Sequence, residues 1–267
     1  MDMATVAGIT IALGAIFGGF TLEGGHIGAI LQPTAGIIVV GGTIGAVCVQ
    51  FPGKGLKRAM KDFKLIFSPP KEDLDALVQQ MLAFASKARK DGVVSLEEET
   101  EKITEPFFKK ALSLAVDGSE PSVIRDTMEI DQSHMEEEGE VSAKVFEAAG
   151  GYSPTVGILG AVLGLIHVMQ NLSDPSKLGA GIAVAFVATV YGVAIANLLC
   201  LPAAGKLKER HKQSMMKYDM ILTGIVSIVE GENPRLLEQK MTSFLGHDSA
   251  HASKGTGSTA SSENKAA

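Results

Sequence analysis

Few residues in this chain have the means to do chemistry. Between 153 and 202 the sequence reads SPTVGILGAVLGLIHVMQNLSDPSKLGAGIAVAFVATVYGVAIANLLCLP. These are two long apolar runs joined by a polar turn, and His167 is the only residue in the runs that titrates near neutrality. Each run carries a proline at the end away from the turn, Pro154 in the first and Pro202 in the second. A proline inside a helix deletes a hydrogen bond and frees a carbonyl, which makes a local hinge. At a helix boundary it merely starts or stops the helix. Both readings stand for both residues. Thr189 and Tyr191, in FVATVYG, are the polar groups expected to face an inner path, unless Thr189 simply bonds its own helix backbone. A lone histidine such as His167 reads as interfacial or packed rather than as a proton relay.

Other chemistry is hard to find. No nucleophile elbow, Walker loop, paired histidine ligands or dinucleotide fingerprint is present. We therefore expect no enzyme activity and no catalytic, cofactor-binding or metal-ligating residues. Cys48 and Cys200 both fall in apolar runs, which argues for packing and against a disulfide framework or a zinc site. A net charge of −6 offers no broad basic field for nucleic acid. The acidic runs 97–99 and 136–138 read as solvated helix faces.

The elements that must position these residues are membrane spans. A hydrocarbon core about 30 Å thick needs about 20 apolar residues per helix, and 154–172 and 178–201 each meet that length. As an antiparallel hairpin they bring Pro154 and Pro202 to the same membrane face. Residues 4–22 are uncharged and are preceded by Asp2 without any Lys or Arg, so they read as an uncleaved span and not as a signal peptide. The run 34–51 ends at Pro52. The fold class is therefore all-α: a polytopic membrane protein with four transmembrane helices and a helical cytoplasmic domain. Glycines four apart (Gly14 and Gly18, Gly41 and Gly45, Gly160 and Gly164) predict close helix packing in lipid.

The expected organisation is two spans in 1–52, a helical domain in 53–152, two spans in 153–202, C-terminal helices in 203–246, and a tail in 247–267 without periodicity, expected to be disordered. Leu74, Leu77, Val78, Met81, Leu82 and Ala85 show a helical period. Ser95 and Glu98 have capping-box spacing, which predicts a second helix from Ser95. A third is expected to begin after Pro121 and run toward the third span. Residues 203 to about 230 read as amphipathic helix, and a short terminal helix is expected beyond Pro234. Lys54, Lys57, Arg58, Lys61 and Lys64 follow the second span, and Lys206, Lys208, Arg210 and Lys212 follow the fourth. By the positive-inside tendency, both termini and the central domain face the cytoplasm.

No span contains Asp or Glu. An ion crossing the bilayer needs ionisable or polar relays, so a carboxylate carrier has to come from another chain.

The order of two spans, a lobe of about a hundred residues, two spans and a short tail resembles the MotA/PomA family, the A subunit of the bacterial flagellar stator. The resemblance covers almost the whole chain to about residue 245. It rests on LEGGHIGAILQP between the first two spans, ARKDGVVSLE over 88–97, SPTVGILGAVLGLI, FVATVYGVAIANLLCLPAAGKLKER and EGENPRLLEQK. It implies a bacterial inner-membrane protein of motility and chemotaxis. The family picture is a homo-oligomer of five copies around two copies of a MotB-like B subunit, which brings the ion-carrying aspartate and a peptidoglycan-binding domain. Ion flow turns the ring against the rotor protein FliG. Pro154 and Pro202 match the family's two functional prolines, thought to couple ion passage to lobe movement. Arg89 and Glu97 match the charged pair presented to FliG, although each also sits at a helix end where the macrodipole favours its sign.

The resemblance also bears on the ion, since no cofactor is implied. Sodium-driven relatives tend to carry a threonine in GTxxGL of the third span, whereas this chain has Ala161 at that place. Without that hydroxyl a dehydrated sodium ion has one oxygen fewer, so proton coupling is expected, with sodium the alternative because Thr189 remains. Two rival readings are weighed. An ExbB/TolQ-like channel subunit energising outer-membrane processes usually has one span before its lobe, and two here argue against it. The other is a structural membrane scaffold with no ion path.

Overall fold

The computed structural model describes residues 2–68, 73–170 and 175–245, and every regular element in them is helical. In chain order these are α1 (Met3–Leu22), the single turns α2 (Ile27–Ile30) and α3 (Pro33–Gly36), a π-helical turn (Ile37–Gly41), α4 (Gly42–Gln50), α5 (Gly53–Phe67), α6 (Leu74–Asp91), a 3-10 turn (Val93–Leu96), α7 (Glu97–Lys102) and α8 (Pro106–Val116). Then come α9 (Pro121–Gln170), α10 (Pro175–Ala194), a second π-helical turn (Ile195–Cys200), α11 (Leu201–Val229) and α12 (Pro234–Phe244). Five helices open on proline, a residue whose missing N–H costs nothing at that position. The tail 247–267 and residues 171–174 of the polar turn lie outside the described residues.

Four described helices are long and apolar enough to cross a membrane: Met3–Leu22, Pro33–Gln50, and stretches of Pro121–Gln170 and Gly181–Val229. The last two do not stop at the expected span ends. Pro154 lies inside a helix of 50 residues, and α10, the π turn and α11 follow one another without a break before Pro202.

The chain forms two compact units, Met1–Pro70 with Glu137–His211, and Lys71–Glu136 with Lys212–Ala267. They follow packing and not membrane level, so α5 and residues 137–152, read from sequence with the cytoplasmic domain, pack with the spans. Gly55 lies against Val141 and would put a Cβ 2.9 Å from it. Phe63 stacks on Phe146 at 5.4 Å between ring centroids, and Ser142 donates to Asp62 Oδ2 at 2.6 Å.

The heart of this unit is a seam of small residues between the third and fourth spans. A Cβ on Gly157 would lie 2.8 Å from the Ala188 carbonyl oxygen, on Gly164 2.9 Å from Ala185 N, and on Gly181 2.6 Å from Val168. Such a seam lets two backbones approach until dispersion and weak polar contacts replace the missing hydrophobic drive in lipid. The glycine expectation is thus met at Gly160 and Gly164, whereas Gly14, Gly18, Gly41 and Gly45 have no atom within 4 Å of a built Cβ. In the second span the close approach is made instead by Gly42, against Val156. α1 has no buried residue at all and is tied down at its start.

The two π turns keep buried stripes straight. Ala35, Val39, Thr43 and Val47 are buried at intervals of four, as are Gly192, Ala196, Cys200 and Ala204. On an α-helix every step of four drifts by about 40°; a turn with one extra residue takes back that drift.

The second unit is a helical lobe around Met81, Phe107, Leu112, Ile124, Met128, Met220, Ile225 and Met241, each at most 1% exposed. Three of its helices are capped by side chains. Asp73 accepts from Ala76 N at 2.9 Å, Glu105 from Phe107 N at 3.1 Å and Phe108 N at 2.6 Å, and Asn233 from Arg235 N at 3.0 Å. The capping box expected at Ser95 and Glu98 does not form. The 3-10 turn occupies that stretch, Ser95 Oγ donates back to the Gly92 carbonyl at 2.6 Å, and the helix opens at Glu97. The helix α8 was not expected.

Candidate functional site

Pro154 and Pro202 are both internal to helical runs, which removes the boundary reading for each. At residue 154 the ring leaves the carbonyl of Gly150 without its usual donor. Gly150 itself abuts Leu201 and Cys200, and a Cβ there would lie 2.7 Å from Leu201 Cδ2. The two prolines therefore lie toward the same end of the hairpin, Pro154 against Gly192 and Pro202 just beyond the contact that Leu201 makes with Gly150. Ahead of Pro202, the π turn supplies the slack that a proline ring needs against the preceding turn. π turns of this kind recur at functional positions in helices.

One hydrogen bond locks the seam beside Pro154. Ser153, fully buried, donates through Oγ to the Gly192 carbonyl at 2.9 Å. Gly192 fits because it has no side chain, since a Cβ would lie 2.6 Å from the Ser153 carbonyl oxygen and 3.2 Å from Pro154 Cα. Neither residue stood out from the sequence.

The polar residues expected along an inner path divide. Tyr191 donates to the Ile30 carbonyl at 2.6 Å and accepts from Gln32 N at 3.3 Å, so it clamps the connection between the first two spans. Thr189 donates to Ala185 of its own helix at 3.4 Å, the backbone bond weighed from sequence. Ala161 is half-buried, next to Gly160 of the seam, and His167 is exposed in the last turns of α9. Cys48 and Cys200 are free thiols.

At the end of the unit marked by basic residues, Asp2 collects two charges from α11. It accepts from Lys206, lies 3.5 Å from Arg210 Nη2, caps α1 through Ala4 N, and donates its own N–H to the Phe67 carbonyl at 2.9 Å. The Lys206 hydrogen bond is the chief reason its carboxyl is held down to about 2.

In the lobe, α6 ends at Gly92, whose φ of +83° suits a glycine. Arg89 in the last turn of α6 and Glu97 at the first position of α7 are both exposed, and neither takes part in an ion pair among the described residues. The turn is braced instead by Lys87 and Glu99 at 3.0 Å, with Lys102 on the other carboxylate oxygen at 3.0 Å. Hydrogen bonds from Lys102 and then Lys87 hold the Glu99 carboxyl below its usual range. A lowered carboxylate stabilises the fold above its unfolded pKa and loses that contribution only as the pH falls through the folded value, so the brace is intact at neutral pH. Arg89 and Glu97 are thereby left available for something else.

Comparison with known proteins places this arrangement. The model of the Motility protein A N-terminal region matches residues 6–92, and that of the MotA/TolQ/ExbB proton channel family matches residues 99–220. Motility protein A of Bacillus subtilis (strain 168) is 36% identical over 246 residues, covering 92% of this chain and 91% of that protein. The chain belongs to the MotA/PomA group of the MotA/TolQ/ExbB family. Chemotaxis protein PomA of Vibrio alginolyticus is 31% identical over 245 residues, 92% of this chain and 96% of that one. The solved structure of C. jejuni MotAB superposes with a TM-score of 0.88 at 35% identity, covering 93% of this chain and 97% of that chain. For the flagellar MotAB stator complex of Bacillus subtilis the TM-score is 0.86 at 35% identity, with 92% and 97% covered. This membership makes the chain a membrane-protein subunit of an ion-driven machine and not an enzyme, and the match over the first two spans disfavours the ExbB/TolQ reading.

Proposed function

We propose that this MotA-family chain is the A subunit of a proton-driven flagellar stator in the bacterial inner membrane, with both termini cytoplasmic. The observation that carries it is the pair of prolines internal to the helical runs of a hairpin whose spans hold no carboxylate. The spans can bend but cannot carry the ion. Two solved relatives are complexes of an A with a B chain, which supports a B-subunit partner that supplies the ion-carrying Asp. Five copies around two B subunits are proposed from the family resemblance, and the orientation is supported by the basic residues that follow the second and fourth spans. An ion passing to the B-subunit carboxylate biases the contact at Ser153, Pro154 and Gly192, the third and fourth spans flex there, and the lobes push FliG.

Ala161 supports the proton as the coupling ion, because that position offers no oxygen to a dehydrated cation. In a deletion strain carrying this chain and its B subunit, swimming should persist in sodium-free medium and collapse on addition of a protonophore. Speed that climbs steeply with sodium at constant pH would assign sodium instead, and no recovery of swimming under any ion would remove the stator reading.

Arg89 and Glu97 are proposed as the rotor contact. Their exposure, beside a turn braced by Lys87 and Glu99, separates recognition from folding. Arg89→Glu and Glu97→Lys should each slow swimming with unchanged membrane levels, since exposed charges steer and align partners more than they hold folds together. A compensating charge change on FliG should restore part of the speed. Loss of the protein itself in both variants would return the two charges to a helix-end role.

A further inference from the structure

Where the apolar spans give way to basic residues, the first unit contains a groove of 310 Å³. Its walls are Gly8 and Ala12 of α1, Phe63 and Phe67 of α5, and Leu198 and Pro202 at the second π turn. On the α1 side, no atom of the described residues lies within 4 Å of a Cβ built on Gly8. Thr5 and Lys206 close its polar end.

The charge at that end is unbalanced. Lys206 bonds to Asp2 and to Thr5 Oγ1, and Arg210 reaches the same carboxylate at 3.5 Å while donating to the carbonyl of Ile66, a wall residue, at 3.3 Å. Two cations thus share one carboxylate, and Arg210 Nη1 is buried without a hydrogen-bond partner. Arg210 is not one of the residues lining the groove, so of the two cations it is Lys206 that faces it, with Arg210 adding its charge from behind.

We propose that the groove takes one acyl chain of an anionic inner-leaflet phospholipid, whose phosphate sits against Lys206 in the field of Arg210 behind it. The apolar walls lie at the depth of the first methylenes and the two cations at the depth of the headgroup, where basic side chains attract anionic lipids. The chain then rests against Pro202 and the π turn, so that hinge moves against a lipid and not against protein. The choice of leaflet rests on the orientation proposed above. The measurement below reads lipids from both leaflets and is independent of it.

The test uses the whole A and B complex in nanodiscs of phosphatidylcholine with a fraction of phosphatidylglycerol, followed by native mass spectrometry. Phosphatidylglycerol should be retained over phosphatidylcholine by several-fold, up to one molecule per A copy. Lys206→Gln should bring the retained ratio toward that of the nanodisc. Gly8→Leu, at a position with open space and so expected to fold, should cut retention of the lipid itself. Retention in the bulk ratio by the wild type, or retention unchanged in Gly8→Leu, overturns the proposal. So does efficient cross-linking of Ala12→Cys to a neighbouring copy, which would give the groove to protein.

Discussion

Pro154→Ala and Pro202→Ala should each leave the stator assembled in the membrane and nearly abolish rotation. Both prolines interrupt helices that otherwise run on without a break. Replacing proline by alanine in a helix interior restores a hydrogen bond and favours the straight helix by roughly 3 kcal/mol. One charge crossing 100 mV delivers about 2.3 kcal/mol. The restored bond therefore outweighs what a single ion supplies, and the bent state is no longer reached in step with ion passage. The check is swimming speed or tethered-cell rotation beside a membrane-fraction immunoblot. Normal rotation in either variant would show that its proline is not a hinge.

Gly192→Val should have the opposite signature, losing the protein and not merely its torque. The new Cβ falls 2.6 Å from the Ser153 carbonyl oxygen, 3.1 Å from Gly157 Cα and 3.2 Å from Pro154 Cα. All three are backbone atoms, so no flexible side chain can give way. Overpacking costs about 1–3 kcal/mol and more where backbone must shift, and parting the helices also breaks the Ser153 hydrogen bond, worth about 1 kcal/mol. We expect strongly reduced membrane levels and a lowered melting temperature of the purified complex. Gly45→Ala, where a Cβ meets nothing within the chain, is the control for loss of glycine as such. An unchanged melting temperature in Gly192→Val would mean that the seam does not hold the hairpin together.

The sequence announced some of this and hid the rest, for identifiable reasons. Four spans were readable because length and absence of charge are properties of a segment alone. The prolines were ambiguous because the same residue opens helices at Pro33, Pro106, Pro121, Pro175 and Pro234 and interrupts them at Pro154 and Pro202, and only packing on both sides separates the two cases. α8 was missed although Glu105 followed by Pro106 carries a cap and a first-turn proline. Ser95 misled because its hydroxyl has a nearer carbonyl, that of Gly92, than the helix it was expected to cap. Ser153 and Gly192 could not be paired from spacing, since they are 39 residues apart on different helices.

The π turns make the chain's residue count part of its design. Each inserts one residue into an otherwise regular helix, and each residue on an α-helix advances the azimuth by about 100°. Deleting any single residue between Ile195 and Cys200 would leave composition, hydropathy and length almost unchanged. It would also leave the flanking stripe in phase, because without the extra residue Ala204 follows Gly192 by about three whole α-helical turns; what is lost is the bulge ahead of Pro202 and not the packing beyond it. These two turns act as phase correctors. A one-residue deletion inside either turn is absorbed as a return to α geometry, whereas the same deletion in a purely α-helical stretch rotates everything beyond it by about 100°.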